Sequence, residues 1–311
     1  MVIDADIAFL AELEATAETL LERHLTQTKE WHPHTMVPWS RGRDFEPDYE
    51  WSPDEANIPA DVRSALFVNL LTEDNLPYYF RDIERMFGTD GAWGEWVRRW
   101  TAEEARHSAA IRDYLTVTRA IDPVGLERAR MIQMGGGEVP QPPNAASGML
   151  YVTMQELATR ISHRNTGKLL EGIDRAGYDI MRRVAIDENF HFLFYRDIAT
   201  AAFEIDPSQM MIALEPQVTE FAMPGTGIPD FAAHSKAIAN AGIYDFALHH
   251  EQILVPIVLQ HWNIAAIEGL DAEAEQARER IVTYIDKVGR VAARVKAKRD
   301  AAAEKALTVA V

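Results

Sequence analysis

Two short strings constrain this chain more than anything else in it: Glu104-x-x-His107 and Glu188-x-x-His191. Among its ten histidines, only these two follow a glutamate by three residues. In a helix that spacing puts both side chains on one face, one turn apart. The face is otherwise apolar in both segments. The first runs Trp93, Val97, Trp100, then Glu104 and His107, then Ile111 and Leu115. The second runs Met181, Val184, Ala185, then Glu188 and His191, then Phe192 and Tyr195. A carboxylate on a core-facing stripe is costly unless it is paired, protonated or bound to a metal.

Two more glutamates share the anomaly. Glu73 shares a helix face with Leu66, Leu70, Leu76 and Phe80, and Glu156 lies between Met149, Val152 and Thr159 in the same way. The order is Glu, ExxH, Glu, ExxH, with separations of 104 − 73 = 31 and 188 − 156 = 32 residues. Each separation lets one helix run out, turn and return antiparallel. A lone ExxH is commonly a surface pair and a lone buried glutamate is commonly salt-bridged, but six such residues at matched spacing point to one site. The expectation is an all-α fold: a ferritin-like di-iron four-helix bundle core with additional surrounding helices. The metal ligands would be Glu73, Glu104, His107, Glu156, Glu188 and His191. Two divalent cations carry a charge that four carboxylates neutralise. In this reading Glu73 and Glu156 bridge the ions, and each ExxH supplies one terminal carboxylate and one imidazole.

Helical periodicity predicts segments near 5–28, 58–87, 90–120, 122–134, 147–175, 178–204, 207–220, 230–241, 245–262 and 270–305. They make one domain over 1–311, with core helices about 58–204 and flanking helices over 205–311. Pro77 stands four residues after Glu73, where its ring would crowd the Glu73 carbonyl. It predicts a kink or bulge at a functional position, or else a helix that ends near residue 76. The stretch 32–53 and the run from Gly135-Gly136-Gly137 to Pro142-Pro143-Asn144 read as loops.

Composition removes whole classes of chemistry. With no cysteine there are no disulfides, thiolate nucleophiles or protein-held iron–sulfur clusters, so oxygen and nitrogen must hold any metal. Net charge is −17, from 31 basic and 48 acidic residues, which argues against nucleic acid as a partner. No window is long and apolar enough to cross a membrane. The N-terminus lacks the marks of a signal or import peptide, so the expected location is the cytoplasm.

With those residues in hand, the chain resembles the soluble acyl-[acyl-carrier-protein] desaturases, the stearoyl-type enzymes and their actinobacterial relatives. The resemblance rests on Thr72-Glu73-Asp74-Asn75-Leu76-Pro77, on Trp100 through His107, on Gln155-Glu156-Leu157-Ala158-Thr159-Arg160-Ile161-Ser162-His163 and on Asp187-Glu188-Asn189-Phe190-His191. Weaker similarity runs from about residue 20 to 265. It implies a homodimer of helical bundles that places a cis double bond in a saturated acyl chain, using two iron ions, with manganese as an alternative. The acyl group would arrive on acyl carrier protein and electrons from ferredoxin or a similar donor. The family's usual Glu-Glu-Asn-Arg-His reads Glu-Glu-Ala-Arg-His here, with Ala105 in place of asparagine.

By the same resemblance, Thr159 looks like the family threonine that assists oxygen activation or proton delivery; otherwise it is a helix threonine bonding back to a carbonyl. Asp187 resembles the aspartate that orients a metal-bound histidine, here His107, and Glu103 would serve His191 by the internal pseudo-symmetry. Trp39 loosely matches a family tryptophan near the electron-entry route, with plain packing the favoured reading. His163 reads as structural, His249-His250 as incidental and Tyr195 as core. Carrier proteins and ferredoxins are acidic, so docking needs local basic clusters: Arg98-Arg99, Arg182-Arg183, or Arg160, Arg164 and Lys168.

Four other readings share the bundle. A radical-generating reductase subunit usually carries aspartate where Glu73 stands, and a tyrosine where Ile111 stands. A ferritin-type shell uses much shorter chains. Another di-metal oxygenase, hydroxylating or N-oxygenating a carrier-bound substrate, would share all six ligands, and an inactive acyl-carrier-binding homologue would keep the fold.

Overall fold

The computed structural model describes residues 4–309 apart from 138 and 226, with side chains described from Asp6 to Ala297. Among these residues there is no β-strand. The helices are α1 (Asp4–Gln27), α2 (Pro33–Met36), α3 (Ala60–Glu73), α4 (Leu76–Phe87), α5 (Gly91–Val117) and α6 (Pro123–Gly136). They continue with α7 (Ala145–Leu170), α8 (Arg175–Ile205), α9 (Pro207–Thr219), α10 (Phe231–Asn240), α11 (Phe246–His249) and α12 (Ala272–Val309). A π-helical run, His250–His261, carries α11 onward.

Helix ends follow local chemistry. The Asn144 side chain accepts from Ser147 N and starts α7, and Asp174 accepts from the backbone of Ala176 and Gly177 to start α8. Asp174 also explains why α7 stops at Leu170, short of the predicted 175: Gly172 turns the chain at φ +80° to bring that cap into place.

α3, α5, α7 and α8 form the central bundle. Along α5 the apolar residues Trp93 to Trp100 belong to one core cluster and Ala110 to Leu115 to another. Along α8 the order reverses: Ile180 to Val184 lie in the second cluster and Phe192 to Ala202 in the first. α3 starts in the second cluster and α7 in the first. So α3 is antiparallel to α5 and α7 is antiparallel to α8, while α6 and its flanking loops return the chain so that α5 and α7 run the same way. Between the two apolar clusters lies a polar layer, and every ligand candidate sits in it.

α7 and α8 pack most closely. A β-carbon at Gly167 would lie 3.2 Å from Met181 Cβ, and one at Gly177 would lie 2.6 Å from the Tyr114 hydroxyl. Small residues thus set how near the helices carrying Glu156, Glu188 and His191 can come. α1 lies across α5 and α8, α10 covers α3, α9 and the π-helical run cover the outer side of α7, and α12 packs on α9 beyond them.

The predicted single helix 58–87 is two. α3 ends on Glu73 itself, Asp74 and Asn75 form the break, and Pro77 falls in the first turn of α4, where its missing N–H costs nothing. The break turns neighbours apart: Glu73 points inward, while Asp74 accepts from Ser108 Oγ at 2.6 Å and from Arg130 Nε at 2.5 Å.

Candidate metal centre

All six predicted ligands come together, and all are buried. They form two overlapping groups, Glu73, Glu104, His107 and Glu188, and Glu104, Glu156, Glu188 and His191, each offering ligand atoms within 4.8 Å of one another. Glu104 and Glu188 belong to both groups. This reverses the expected division of labour, which gave the shared positions to Glu73 and Glu156. The physical reason is position: the ExxH glutamates project between the two imidazoles. His107 Nδ1 is 3.2 Å from Glu104 and 3.6 Å from Glu188, and His191 Nδ1 is 2.8 Å from Glu104 and 3.7 Å from Glu188. Glu73 and Glu156 each approach one imidazole from outside, at 3.9 and 3.7 Å.

The electrostatics are those of an unbalanced cluster. Burial, then repulsion from Glu104, pushes the Glu73 carboxyl well above the usual range. Burial, with Glu104 and Glu156, does the same to Glu188. Burial alone would also raise Glu104, but the charges and hydrogen bonds of His107 and His191 hold it well below. Burial alone would lower both histidines, and the surrounding carboxylates outweigh it and hold both well above the ordinary value. Glu156 Oε2 and Glu188 Oε2 are buried with no hydrogen-bond partner. Buried polar atoms without partners are expensive, and here they point at one another. Two divalent cations would satisfy them and neutralise four carboxylates, so the residues fit a di-metal centre.

Each imidazole has a backing acid. Asp187 Oδ2 lies 3.4 Å from His107 Nε2, accepts from Trp31 Nε1 at 2.6 Å, and the carboxylate also meets Arg183 and Arg106. Burial would raise the Asp187 pKa, but the hydrogen bond from His107 and the nearby cations lower it to about 2. Glu103 Oε2 lies 2.9 Å from His191 Nε2 and 2.9 Å from His24 Nε2, with Arg99 on its other oxygen. These contacts leave Nδ1 of both ligand histidines facing the cluster. Burial lowers the His24 pKa despite Glu103, so His24 is neutral and donates.

Sequence reading missed two of these neighbours, His24 and Trp31, and read a third, His163, as structural only. His24 continues the stripe Leu10, Leu13, Ala17, Leu20 and Leu21 on α1, which is a signal the spacing held. Trp31 stacks on His107 at 6.4 Å between centroids. Trp39 is half exposed and only reaches the His34 carbonyl. His163 is more than structural in placement: Asn69 Nδ2 lies 3.2 Å from its Nδ1, and its Nε2 lies 3.3 Å from both Glu73 and Glu188. Burial, then His107, lowers its pKa to about 3, so it stays neutral beside the cluster.

A largely apolar cavity of 360 Å³ reaches this layer from outside the bundle. Val68, Met223, Pro224, Phe231, Ile238 and Phe246 line it, and Glu73, Thr159 and His163 stand on its wall. The Thr159 hydroxyl bonds back to the Glu156 carbonyl at 3.0 Å while sharing that wall. Ala105 is exposed, on the far side of α5 from the ligands. Tyr195 is fully buried and packs on Trp96 and Phe194, and His249 stacks on Phe221 and bonds the Tyr244 hydroxyl.

A helical bundle that turns four carboxylates and two imidazoles onto one dry point, beside an apolar cavity, defines a class: di-metal carboxylate proteins of the ferritin-like fold. The family can be named more narrowly. A sequence model described as fatty acid desaturase matches residues 5–310, and the chain belongs to that family. It is 41% identical over 290 residues to DesA1 of Mycobacterium tuberculosis, an acyl-[acyl-carrier-protein] desaturase by name, covering 90% of this chain and 85% of that one. It is 28% identical over 310 residues to the chloroplastic stearoyl-[acyl-carrier-protein] 9-desaturase of Gossypium hirsutum, covering 94% and 78%. The X-ray structure of DesA2 from M. tuberculosis superposes with a TM-score of 0.70 at 25% identity, covering 87% of this chain and 99% of that one. No helix among the described residues is long and apolar enough to cross a membrane.

Proposed function

We propose that this chain desaturates a saturated acyl chain carried as a thioester on acyl carrier protein. Glu73, Glu104, His107, Glu156, Glu188 and His191 would hold two iron ions, with electrons from a ferredoxin-like donor. The observation that carries the reading is that an apolar cavity reaches the two overlapping ligand groups at Glu73, the one ligand candidate on its wall. The balanced reaction takes one dioxygen, two electrons and two protons; two hydrogens leave adjacent methylenes and two waters form. Bound iron would supply the oxidising power that no side chain has.

The chain's own residues do the rest. The apolar cavity wall would hold the acyl chain extended and exclude water from it. Glu104 and Glu188, which belong to both groups, and Glu73 and Glu156, which belong to one each, would together hold the two ions and neutralise their charge. Asp187 and Glu103 would hold the imidazoles with Nδ1 toward the metals. Thr159, on the cavity wall, has acceptor lone pairs free to take a proton, which supports a role in proton delivery. The names of the relatives support the acyl-carrier substrate, and exposed Met131 and Ile132 on α6 support the homodimer that the resemblance implies.

The test is incubation of iron-loaded protein with stearoyl-acyl carrier protein, reductant and dioxygen, with mass analysis of the released acyl chain. A product two mass units lighter is expected, absent in Glu188→Ala. A product sixteen units heavier would make the protein a hydroxylase instead, and stoichiometric iron with no oxygen consumption would make it an inactive relative.

A further inference from the structure

In this acidic chain arginines are mostly paired: Arg23 and Arg196 with Asp197, Arg41 with Asp174, Arg81 with Asp82, Arg130 with Asp74. Two basic clusters legible in the sequence are partly spent the same way, since Arg99 holds Glu103 and Arg183 holds Asp187. The outer groove between α7 and α8 is different. Arg160, Arg164 and Lys168, spaced four residues apart on α7, and Arg182 on α8 line a concavity of 400 Å³ together with Asn189 and Phe190. Among the described residues none of the four cations has an ion-pair partner; Arg164 reaches only Gln252 Oε1, at 3.0 Å, and its Nε is buried without a partner. Burial and the Arg164 charge lower the Arg160 pKa. Holding like charges together, two of them half-buried, costs energy that no internal contact returns. An anion from outside would return it.

The groove also adjoins the way into the site. The other face of α7 presents Thr159, Ser162 and His163 to the cavity. Arg164 touches Gln252, and Asn165 Nδ2 donates to the Ile243 carbonyl at 2.9 Å; these two partners flank Tyr244, Asp245 and Phe246, which line the cavity. A body seated in the groove therefore sits one helix away from the cavity. A carrier protein must hand a chain inward, so its seat has to adjoin the opening; an electron donor has no such requirement.

We propose that the α7–α8 groove is the seat of the acidic face of the acyl carrier protein, with Arg160, Arg164, Lys168 and Arg182 as its counter-charges. The inference rests on the acyl-carrier reading above.

The test uses the full-length, iron-loaded protein and fluorescently labelled stearoyl-acyl carrier protein, with anisotropy read across a salt series. Two charge-reversal pairs are compared with the parent: Arg160→Glu with Arg164→Glu, and the more exposed Lys168→Glu with Arg182→Glu. Each pair should weaken binding at low salt by roughly tenfold or more and flatten its salt dependence, with iron content unchanged. Arg98→Glu, far along α5, should bind as the parent does. Parent-like affinity in both pairs would overturn the proposal. So would loss of self-association with carrier binding intact, which would make the groove a seat for a second copy. Slower reduction by an acidic ferredoxin with carrier binding intact would also overturn it. A parent that binds no acyl carrier protein at all would remove the acyl-carrier reading itself, and the groove's assignment with it.

Discussion

Replacing His24 with leucine is expected to act on one half of the proposed metal site and spare the other. His24 touches no ligand atom of the cluster directly; it donates to Glu103, which in turn holds His191. The other imidazole, His107, is backed by Asp187, which takes the Trp31 indole N–H where Glu103 takes His24, so the substitution leaves that half untouched. Leucine keeps most of the volume beside Trp96 and His191, so the change deletes mainly one hydrogen bond to a buried carboxylate. Such a bond contributes about 1.5–3 kcal/mol. Arg99 remains on Glu103 at 2.5 Å, which favours the lower end. Losing an outer partner of a metal-bound histidine typically costs 10- to 100-fold in metal affinity. Because His24 acts one step further out, about tenfold is expected. The assay is anaerobic titration of metal-free protein with cobalt(II), followed by absorbance, alongside thermal denaturation. In the parent two binding steps are expected; in His24→Leu only one should weaken, and His24→Gln, which keeps a donor, should largely restore it. Equal weakening of both steps, or of neither, would refute the reasoning.

Other perturbations read the same cluster. In metal-free protein, Glu73→Gln and Glu188→Gln should leave Tm unchanged or raise it by a few degrees, because burial and repulsion already disfavour these charges, while metal binding falls sharply; differential scanning calorimetry and metal analysis check both. Metal-free protein should lose stability as pH rises from about 6.5 toward 9. His107 and His191 have raised pKa values, so their contribution is complete below the unfolded value and is lost as pH passes the folded one; raised Glu73 and Glu188 act with the same sign from lower pH. Metal-loaded protein should show the opposite slope, since binding requires deprotonated ligands, and melts across that range would show a common slope if the idea is wrong. Thr159→Val should slow turnover while iron content stays intact; unchanged turnover would leave Thr159 only its bond to the Glu156 carbonyl.

The buried cluster of acids and imidazoles was legible because it breaks a strong rule twice over. An acid on a helix stripe between residues such as Trp100 and Ile111, or Val184 and Phe192, has no cheap local explanation, and helical spacing alone says which side chains share its direction. Helix positions were legible for the same reason, with ends set by Asn144, Asp174 and Pro207 within a few residues. Which carboxylates fall in both candidate groups was not legible. It depends on how far each side chain reaches across the bundle axis, which is set by how closely Gly167 lets α7 approach α8 and by the break after Glu73. Those are tertiary quantities, and spacing carries no record of them.

The pseudo-symmetry of the two ExxH motifs explains both what was read and what was missed. Repetition argued that Asp187 and Glu103 play matching parts, since each precedes an ExxH glutamate by one residue. Repetition has nothing to say about α1 and the segment after it, which occur once. α1 crosses both halves and delivers His24 to one acid, and the chain leaving it delivers Trp31 to the other. One acid thus meets a neutral imidazole on an apolar stripe, and the other an indole stacked on a ligand histidine beneath Arg106 and Arg183. Two sites with the same ligands but different backing groups need not bind metal equally. The asymmetry enters through α1 and the segment after it, which the internal repeat does not contain, and that is why the His24 substitution should distinguish the two sites where a ligand substitution, acting on shared Glu104 or Glu188, would damage both.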